Sequence, residues 1–406
     1  MFYQTYKFNN GIRLVHHRHP SPVGHCGLTI NAGSRDETEN EHGIAHLIEH
    51  ALFKGTKKRR AHHIINRMEI VGGEINAYTT KEHTCIYSSF LKEDFQRSVE
   101  LICDIVFHST FPEKELALEK EIIIDEINSY KDDPSELIFD DFEEVLFNGN
   151  PIGRNILGTP KLLRKFTRED IETFIGKNYC TDQMVFTTVV DMDFEKVLKQ
   201  AGRYLEKNPP RNSSRKRIPV SCNSPVEKKI DKKTHQAHFI IGCNIPAIKD
   251  ERRYTLALLN NILGGPGMNS KLNVALREKT GYAYNVESNI TLYSDTGVFA
   301  TYFGTDRQHI EKCTEIVLKE FARLRNNKLG SIQLSRAKRQ LKGQMIIAFE
   351  NKEYLMQAMG KSHLLFNGIH SSEEIQNIIE KISSDYLMEM ANMVLNPENL
   401  SILSYH

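Results

Sequence analysis

The chain has 406 residues, with 53 Lys and Arg balancing 52 Asp and Glu to a formal net charge of +1, and 40% of its residues are hydrophobic. That length accommodates two to three domains with substantial cores, and interspersed charge near neutrality argues against nucleic acid as the main partner. No stretch approaches the roughly 20 apolar residues of a membrane span. The opening Met1-Phe2-Tyr3-Gln4-Thr5-Tyr6-Lys7 carries neither a signal-peptide apolar core nor an Arg/Ser-rich transit pattern, and seven scattered cysteines without a disulfide framework make a reducing, cytoplasmic location the expected one.

Taken in chain order, residues 26–32 read as a strand. The next element is Gly43-Ile44-Ala45-His46-Leu47-Ile48-Glu49-His50-Ala51-Leu52-Phe53, an apolar run with a polar stripe. On a helix, His46 and His50 lie one turn apart on one face and Glu49 lies beside them. Two imidazoles and a carboxylate on a buried helix need partners, because each lost hydrogen bond costs roughly 1–3 kcal/mol. A zinc ion satisfies both imidazoles and leaves Glu49 free to act on water; the H-x-x-E-H order is the inverted zincin arrangement. The basic run Lys57-Lys58-Arg59-Arg60 reads as a solvated loop. A helix over 61–71 follows, then strands at 74–79 and 83–91, then helices at about 93–108 and 113–131. The last of these carries Glu119 and Glu126 seven residues apart on one stripe, with Leu118, Ile122 and Ile123 on a neighbouring apolar face. Catalytic zinc takes three protein ligands plus an open position, and this helix is a believable source of the third.

These segments resemble the pitrilysin (insulinase) family of zinc metallopeptidases, the family of mitochondrial processing peptidase. The resemblance rests on the H-x-x-E-H run, on Ala51-Leu52-Phe53-Lys54-Gly55-Thr56, on Gly33-Ser34-Arg35-Asp36-Glu37 and on Gly153-Arg154-Asn155-Ile156-Leu157-Gly158, and it extends over the whole chain. It implies that His46, His50 and Glu126 bind Zn²⁺, that Glu49 is the general base and that Glu119 supports His50. It also implies that Gly72-Gly73-Glu74-Ile75-Asn76-Ala77-Tyr78 is an edge strand to which an extended peptide adds at Asn76 and Ala77. His42, one turn before His46, is taken as a bystander.

Residues 207–217 combine Pro, Ser and charge without apolar periodicity and read as a linker. The expected domains are therefore 1–208, carrying the zinc, and 219–406. The second repeats the order of the first: a strand at Ala237–Cys243, helices near Arg252–Leu263 and Ser270–Lys279, strands at 282–290 and 297–303, and helices at 307–325 and 331–350. A βααββαα order repeated at about 210 residues suggests two copies of one α+β unit, each an antiparallel-rich sheet with helices packed on it. The helix answering to the metal helix, Tyr254–Ile262, has no His or Glu, so only the first copy can hold zinc. Gly264-Gly265-Pro266-Gly267-Met268-Asn269-Ser270-Lys271 lacks phosphate-loop spacing and reads as a turn. The seven cysteines form no C-x-x-C; Cys26, Cys85, Cys103 and Cys243 lie in apolar runs and read as small hydrophobes.

In the second copy the resemblance assigns Arg277 and Tyr284 to the substrate backbone and the oxyanion, consistent with a guanidinium and a phenol as fixed donors to developing negative charge; Tyr282 is a weaker candidate. The expected protein is a zinc endopeptidase acting on peptides or unfolded segments. The alternatives are a processing-peptidase subunit needing a non-identical partner and a non-catalytic scaffold. Long single-chain relatives contain two halves of about this size, zinc in the first and the Arg/Tyr pair in the second, so a C2 homodimer sharing these residues between subunits is expected, a heterodimer being the other possibility.

Overall fold

A computed structural model of the chain describes residues 3–221, 224–232 and 234–406; Cys222 and the first two residues lie outside these. The backbone forms two compact units. The first comprises Met1–Asn128, Ile156–Arg217 and Ile347–Ser371, the second Ser129–Asn155, Ile218–Ile346 and Ser372–His406. These units are not the contiguous stretches 1–208 and 219–406, because each takes in one helix from the other half of the chain.

The first unit is built on a six-stranded sheet of β1 (Gln4–Lys7), β2 (Arg13–His17), β3 (Val23–Ile30), β4 (Glu74–Thr79), β5 (Thr84–Leu91) and β6 (Met184–Val189), in the order β1-β2-β6-β3-β5-β4. Only β2 and β6 pair in parallel. Strand alternation sends Leu14, Leu28, Ile86 and Phe186 into a core shared with helices Ile44–Leu52, Phe95–His108, Glu113–Lys131 and Arg168–Asn178. Val15, Val185 and Val189 point the other way, onto Leu355, Met356 and Met359 of helix Lys352–Phe366. Gly360 lets that helix settle closely, since a Cβ there would meet Thr29 Oγ1 at 2.7 Å. Both faces of the sheet are thus covered, which is why Leu14 and Val15 are both fully buried despite being neighbours.

The second unit repeats this plan with β7 (Glu227–Ile230), β8 (Ala237–Ile245), β9 (Ala283–Leu292), β10 (Gly297–Thr305) and β11 (Ser401–Tyr405), ordered β7-β11-β8-β10-β9. Phe239, Ile241, Cys243 and Ile245 face one helical layer. Ile240, Val298, Tyr302 and Leu403 face the other, where helix Pro134–Leu146 supplies Ile138 and Phe142. That helix starts where Asp133 accepts from the backbone N–H groups of Ser135 and Glu136, with Pro134 in the first turn. The expected strand–helix–helix–strand–strand–helix–helix order occurs in both units, and the mixed helix-and-sheet class is the one expected. The second copy's helix near 270–279 is a π-helical stretch, Asn273–Glu278, in which Lys279 N–H reaches the Val274 carbonyl at 3.1 Å.

Three local expectations are corrected. Leu118 and Ile122 are 55% and 50% exposed, while Leu116, Ile123, Ile124 and Ile127 are the buried apolar positions of their helix. The run Lys57–Arg60 is not wholly solvated: Arg59 clamps Glu100 with two bonds of 2.8 and 2.9 Å and bonds the buried Asp104. The stretch 207–217 is not a loose linker, because Arg211, Arg215 and Arg217 bond along the first unit. In the last two cases apolar periodicity is silent about charged side chains that find buried acids. The six described cysteines are free and buried, and among the described residues no helix is long and apolar enough to cross a membrane.

Candidate metal centre

Helix Ile44–Leu52 is nine residues long, too short to be stable by itself, and its start is fixed from outside. Gly43 takes φ 98°, a left-handed conformation that favours glycine. A Cβ at Gly43 would lie 2.8 Å from the Cα of Gly158, which gives Gly158 a packing role. The carboxylate of Glu37, 3% exposed, accepts from the backbone N–H groups of Gly43 at 3.0 Å and Ala45 at 2.9 Å. It thereby satisfies open donors at the positive end of the helix.

One turn in, His46 and His50 lie with ring centroids 4.7 Å apart. His46 Nε2 is 3.9 Å from Glu126 Oε1, and His50 Nε2 is 3.7 Å from Glu126 Oε2. These separations are too long for hydrogen bonds and somewhat wider than the roughly 3.4 Å between ligands of a tetrahedral zinc with bonds near 2.1 Å. Among the described residues, His46, His50 and Glu126 form the one group of three or more His, Cys, Asp or Glu able to hold an ion, their ligand atoms all within 4.8 Å of one another. His42 is outside it. The donor set of two imidazoles and a carboxylate fits zinc.

The surroundings prepare these groups. Burial, with the neighbouring His50 charge, lowers the His46 pKa to about 4, keeping its ring neutral and able to coordinate. His50 Nδ1 meets Glu119 Oε2 at 3.1 Å, and Lys54 Nζ meets Glu119 Oε1 at 2.7 Å. With the proton on Nδ1 held by this carboxylate, His50 Nε2 keeps its lone pair. Burial raises the Glu49 pKa; polar contacts from Thr79 and the His50 charge work against that rise, and Glu126 adds to it. A carboxylate raised toward neutrality is a better base for water than an ordinary surface Glu.

Thr79 ends β4, the outermost strand of its sheet, to which Asn76 and Ala77 also belong. Asn76 is exposed and Ala77 half-buried. The Asn76 side-chain oxygen accepts from the Ala77 N–H at 2.8 Å, occupying a donor of this strand. Arg277 and Tyr284 belong to the second unit. Arg277 lies in the π-helical stretch and Tyr284 in β9, and together they line a cavity of about 340 Å³ with Asn260, Asn273 and Gly264. Tyr284 is 78% exposed, so its phenol is presented to solvent. Tyr282 stacks instead on His309 at 4.3 Å between ring centroids.

Motif reading by itself misses Glu37, Lys54 and Thr79. Lys54 lies in the Ala51–Thr56 segment and Glu37 in the Gly33–Glu37 segment, but nothing in their spacing says which groups they meet.

The sequence model of the family described as Insulinase (Peptidase family M16) matches residues 13–160, and that of the Peptidase M16 inactive domain matches residues 165–341. The chain is 31% identical over 399 residues to the uncharacterized zinc protease YmxG of Bacillus subtilis, covering 97% of this chain and 96% of that protein. It is 34% identical over 394 residues to an uncharacterized zinc protease of Streptomyces coelicolor, covering 95% and 85%. It is 29% identical over 421 residues to the mitochondrial-processing peptidase subunit beta of Saccharomyces cerevisiae, covering 99% and 90%. Among solved structures, a protease from Helicobacter pylori has a similar fold, with a TM-score of 0.92 at 19% identity over 100% of this chain and 99% of that one.

Proposed function

The chain belongs to the insulinase family of zinc proteases, peptidase family M16, and from that premise we propose that it is a zinc-dependent endopeptidase of peptides and unfolded segments. The observation that carries this reading is the convergence of His46 and His50 of one helix with Glu126 of another, Glu49 lying beside the two imidazoles on their helix. His46 Nε2, His50 Nε2 and one Glu126 oxygen would hold the ion. Zinc, when bound there, acts as a Lewis acid that acidifies water and polarises a carbonyl. Glu49 takes the proton of the attacking water and passes it to the leaving amine. Glu119, braced by Lys54, keeps His50 in the coordinating tautomer. Arg277 and Tyr284 supply donors to the substrate backbone and the oxyanion.

Substrate enters as an added strand on β4, where Asn76 and Ala77 offer main-chain groups indifferent to side-chain identity. For that, the Asn76 carboxamide swings off the Ala77 N–H. Such pairing selects extended chains over compact folds.

The protein works as a cytoplasmic C2 homodimer in which Arg277 and Tyr284 of one subunit serve the zinc of the other. The similarity to a protein named as a subunit supports a second arrangement, pairing with a non-identical chain.

The test is metal analysis with a quenched peptide. Wild type should carry about one zinc per chain and lose activity to chelator. His46→Ala and Glu126→Ala should lose the metal; Glu49→Gln should keep it and lose turnover. A protein that binds no zinc and gains no activity on zinc addition would refute the reading.

A further inference from the structure

We propose that Asp36, Arg215 and Arg217 form a clamp that positions the zinc-ligand helix through Glu37, so that the segment joining the two halves of the sequence sets the metal affinity. This rests on the zinc reading above. The Asp36 side chain is fully buried and accepts from Arg217 Nε at 2.9 Å and from its terminal nitrogen at 3.0 Å, with Arg215 at 3.2 Å. Arg217 also donates to the Glu82 carbonyl at 2.7 Å and to Asn31 Oδ1 at 3.0 Å. Arg215 bonds the Asn31 carbonyl and Asn178.

Two arms lead from this cluster toward the ligands. The first is one residue long. Asp36 adjoins Glu37, whose carboxylate holds the Gly43 and Ala45 N–H groups. Gly43 provides no side-chain cap, so Glu37 is the side chain that registers a nine-residue helix bearing both imidazoles and Glu49. The second arm is the β4–β5 turn. Ser34 and Arg35 N–H groups bond the Thr80 and Lys81 carbonyls at 3.2 and 2.8 Å, and Arg35 pairs with Glu82 at 2.6 Å. Gly33 makes this contact possible, since a Cβ there would lie 2.2 Å from the Thr80 oxygen. Thr79, next in the chain, touches Glu49. One cluster thus registers the metal helix and the residue against the proposed base.

Buried ion pairs of this kind are weak sources of stability, because desolvation offsets their attraction. Their effect is geometric. A guanidinium fork on a carboxylate fixes orientation as well as distance, and ligand placement is sensitive to such outer partners. Asp36, Arg215, Arg217 and Glu37 are positioning residues that touch no substrate.

The experiment measures zinc affinity by competition with a chromogenic chelator, with circular dichroism for folding. The variants are Glu37→Gln, the double variant Arg215→Gln/Arg217→Gln, Arg217→Lys, and Met359→Ala as a control on the opposite sheet face. Glu37→Gln and the double variant should bind zinc about tenfold or more weakly. Arg217→Lys, which keeps charge but loses the fork, should weaken it less and keeps the test available should the Gln variants fold poorly. Met359→Ala should lower the melting temperature and leave zinc affinity unchanged. Folded clamp variants with wild-type zinc affinity would overturn the clamp alone. A wild-type protein that binds no zinc would remove the metal reading, and the clamp's role with it.

Discussion

Replacing Glu119 by Ala tests whether the site's geometry depends on a residue that is not itself a ligand. Glu119 is 4% exposed and holds two partners, His50 Nδ1 at 3.1 Å and Lys54 Nζ at 2.7 Å. Alanine leaves the His50 N–H without its acceptor and frees the ring to turn or change tautomer. Loss of such a partner typically weakens metal binding about 10- to 100-fold, roughly 1.4–2.7 kcal/mol. The His50 side chain is 24% exposed, so water can replace part of the lost hydrogen bond, which places the expected effect nearer tenfold. Glu119→Gln keeps a carbonyl acceptor for His50 but abandons the ion pair with Lys54, and should fall between Ala and wild type. The assay is zinc competition at pH 7.5 on protein shown to be folded by circular dichroism. Folded Glu119→Ala protein with wild-type zinc affinity would show that His50 needs no support, and the argument from its second nitrogen would fail.

Gly43→Ala should destabilise by at least about 2 kcal/mol, since it joins the left-handed penalty to a 2.8 Å approach to Gly158 Cα; chemical denaturation checks this, and a neutral result would mean the loop relaxes freely. Burial lowers the His363 pKa to about 4, the Arg13 charge adding to it. The unfolded chain takes that proton near 6.5, so the contribution is present above about pH 6.5 and is lost as pH falls toward 4. His363→Leu should therefore show a shallower loss of melting temperature between pH 7 and 5, and an unchanged slope would contradict a buried neutral ring. Glu49→Gln and Tyr284→Phe proteins should each be nearly inactive, while verified heterodimers of the two should regain one intact site; heterodimers as inactive as both parents would exclude sharing between subunits. A compact folded protein should resist cleavage that its unfolded form undergoes, and rapid digestion of the folded form would contradict strand addition on β4.

The local code was strong where one element had one environment. Pro112 before it and Asp132-Asp133-Pro134 after it bounded helix Glu113–Lys131, and the H-x-x-E-H spacing brought His46, Glu49 and His50 to one face, because helix geometry alone sets that relation. The repeated element order was readable for a similar reason, each element being long enough to show its period, whereas the edge position of β4 was implied only by the family resemblance and is a matter of sheet order. Other features depended on which distant segments meet. No sequence period reveals that helix Lys352–Phe366 covers the first sheet or that helix Pro134–Leu146 covers the second, since an apolar face does not name its partner. Leu118 and Ile122 look like core on the same helix that buries Ile123, and only packing separates them. The charged groups were least legible of all. Arg215 and Arg217 sit in a polar, Pro- and Ser-rich stretch with every mark of a loose connection, yet they reach a fully buried Asp36 some 180 residues earlier. Ion pairing acts through space between long side chains that carry no periodic signature, so tertiary structure alone decides whether such a residue is solvated or locked.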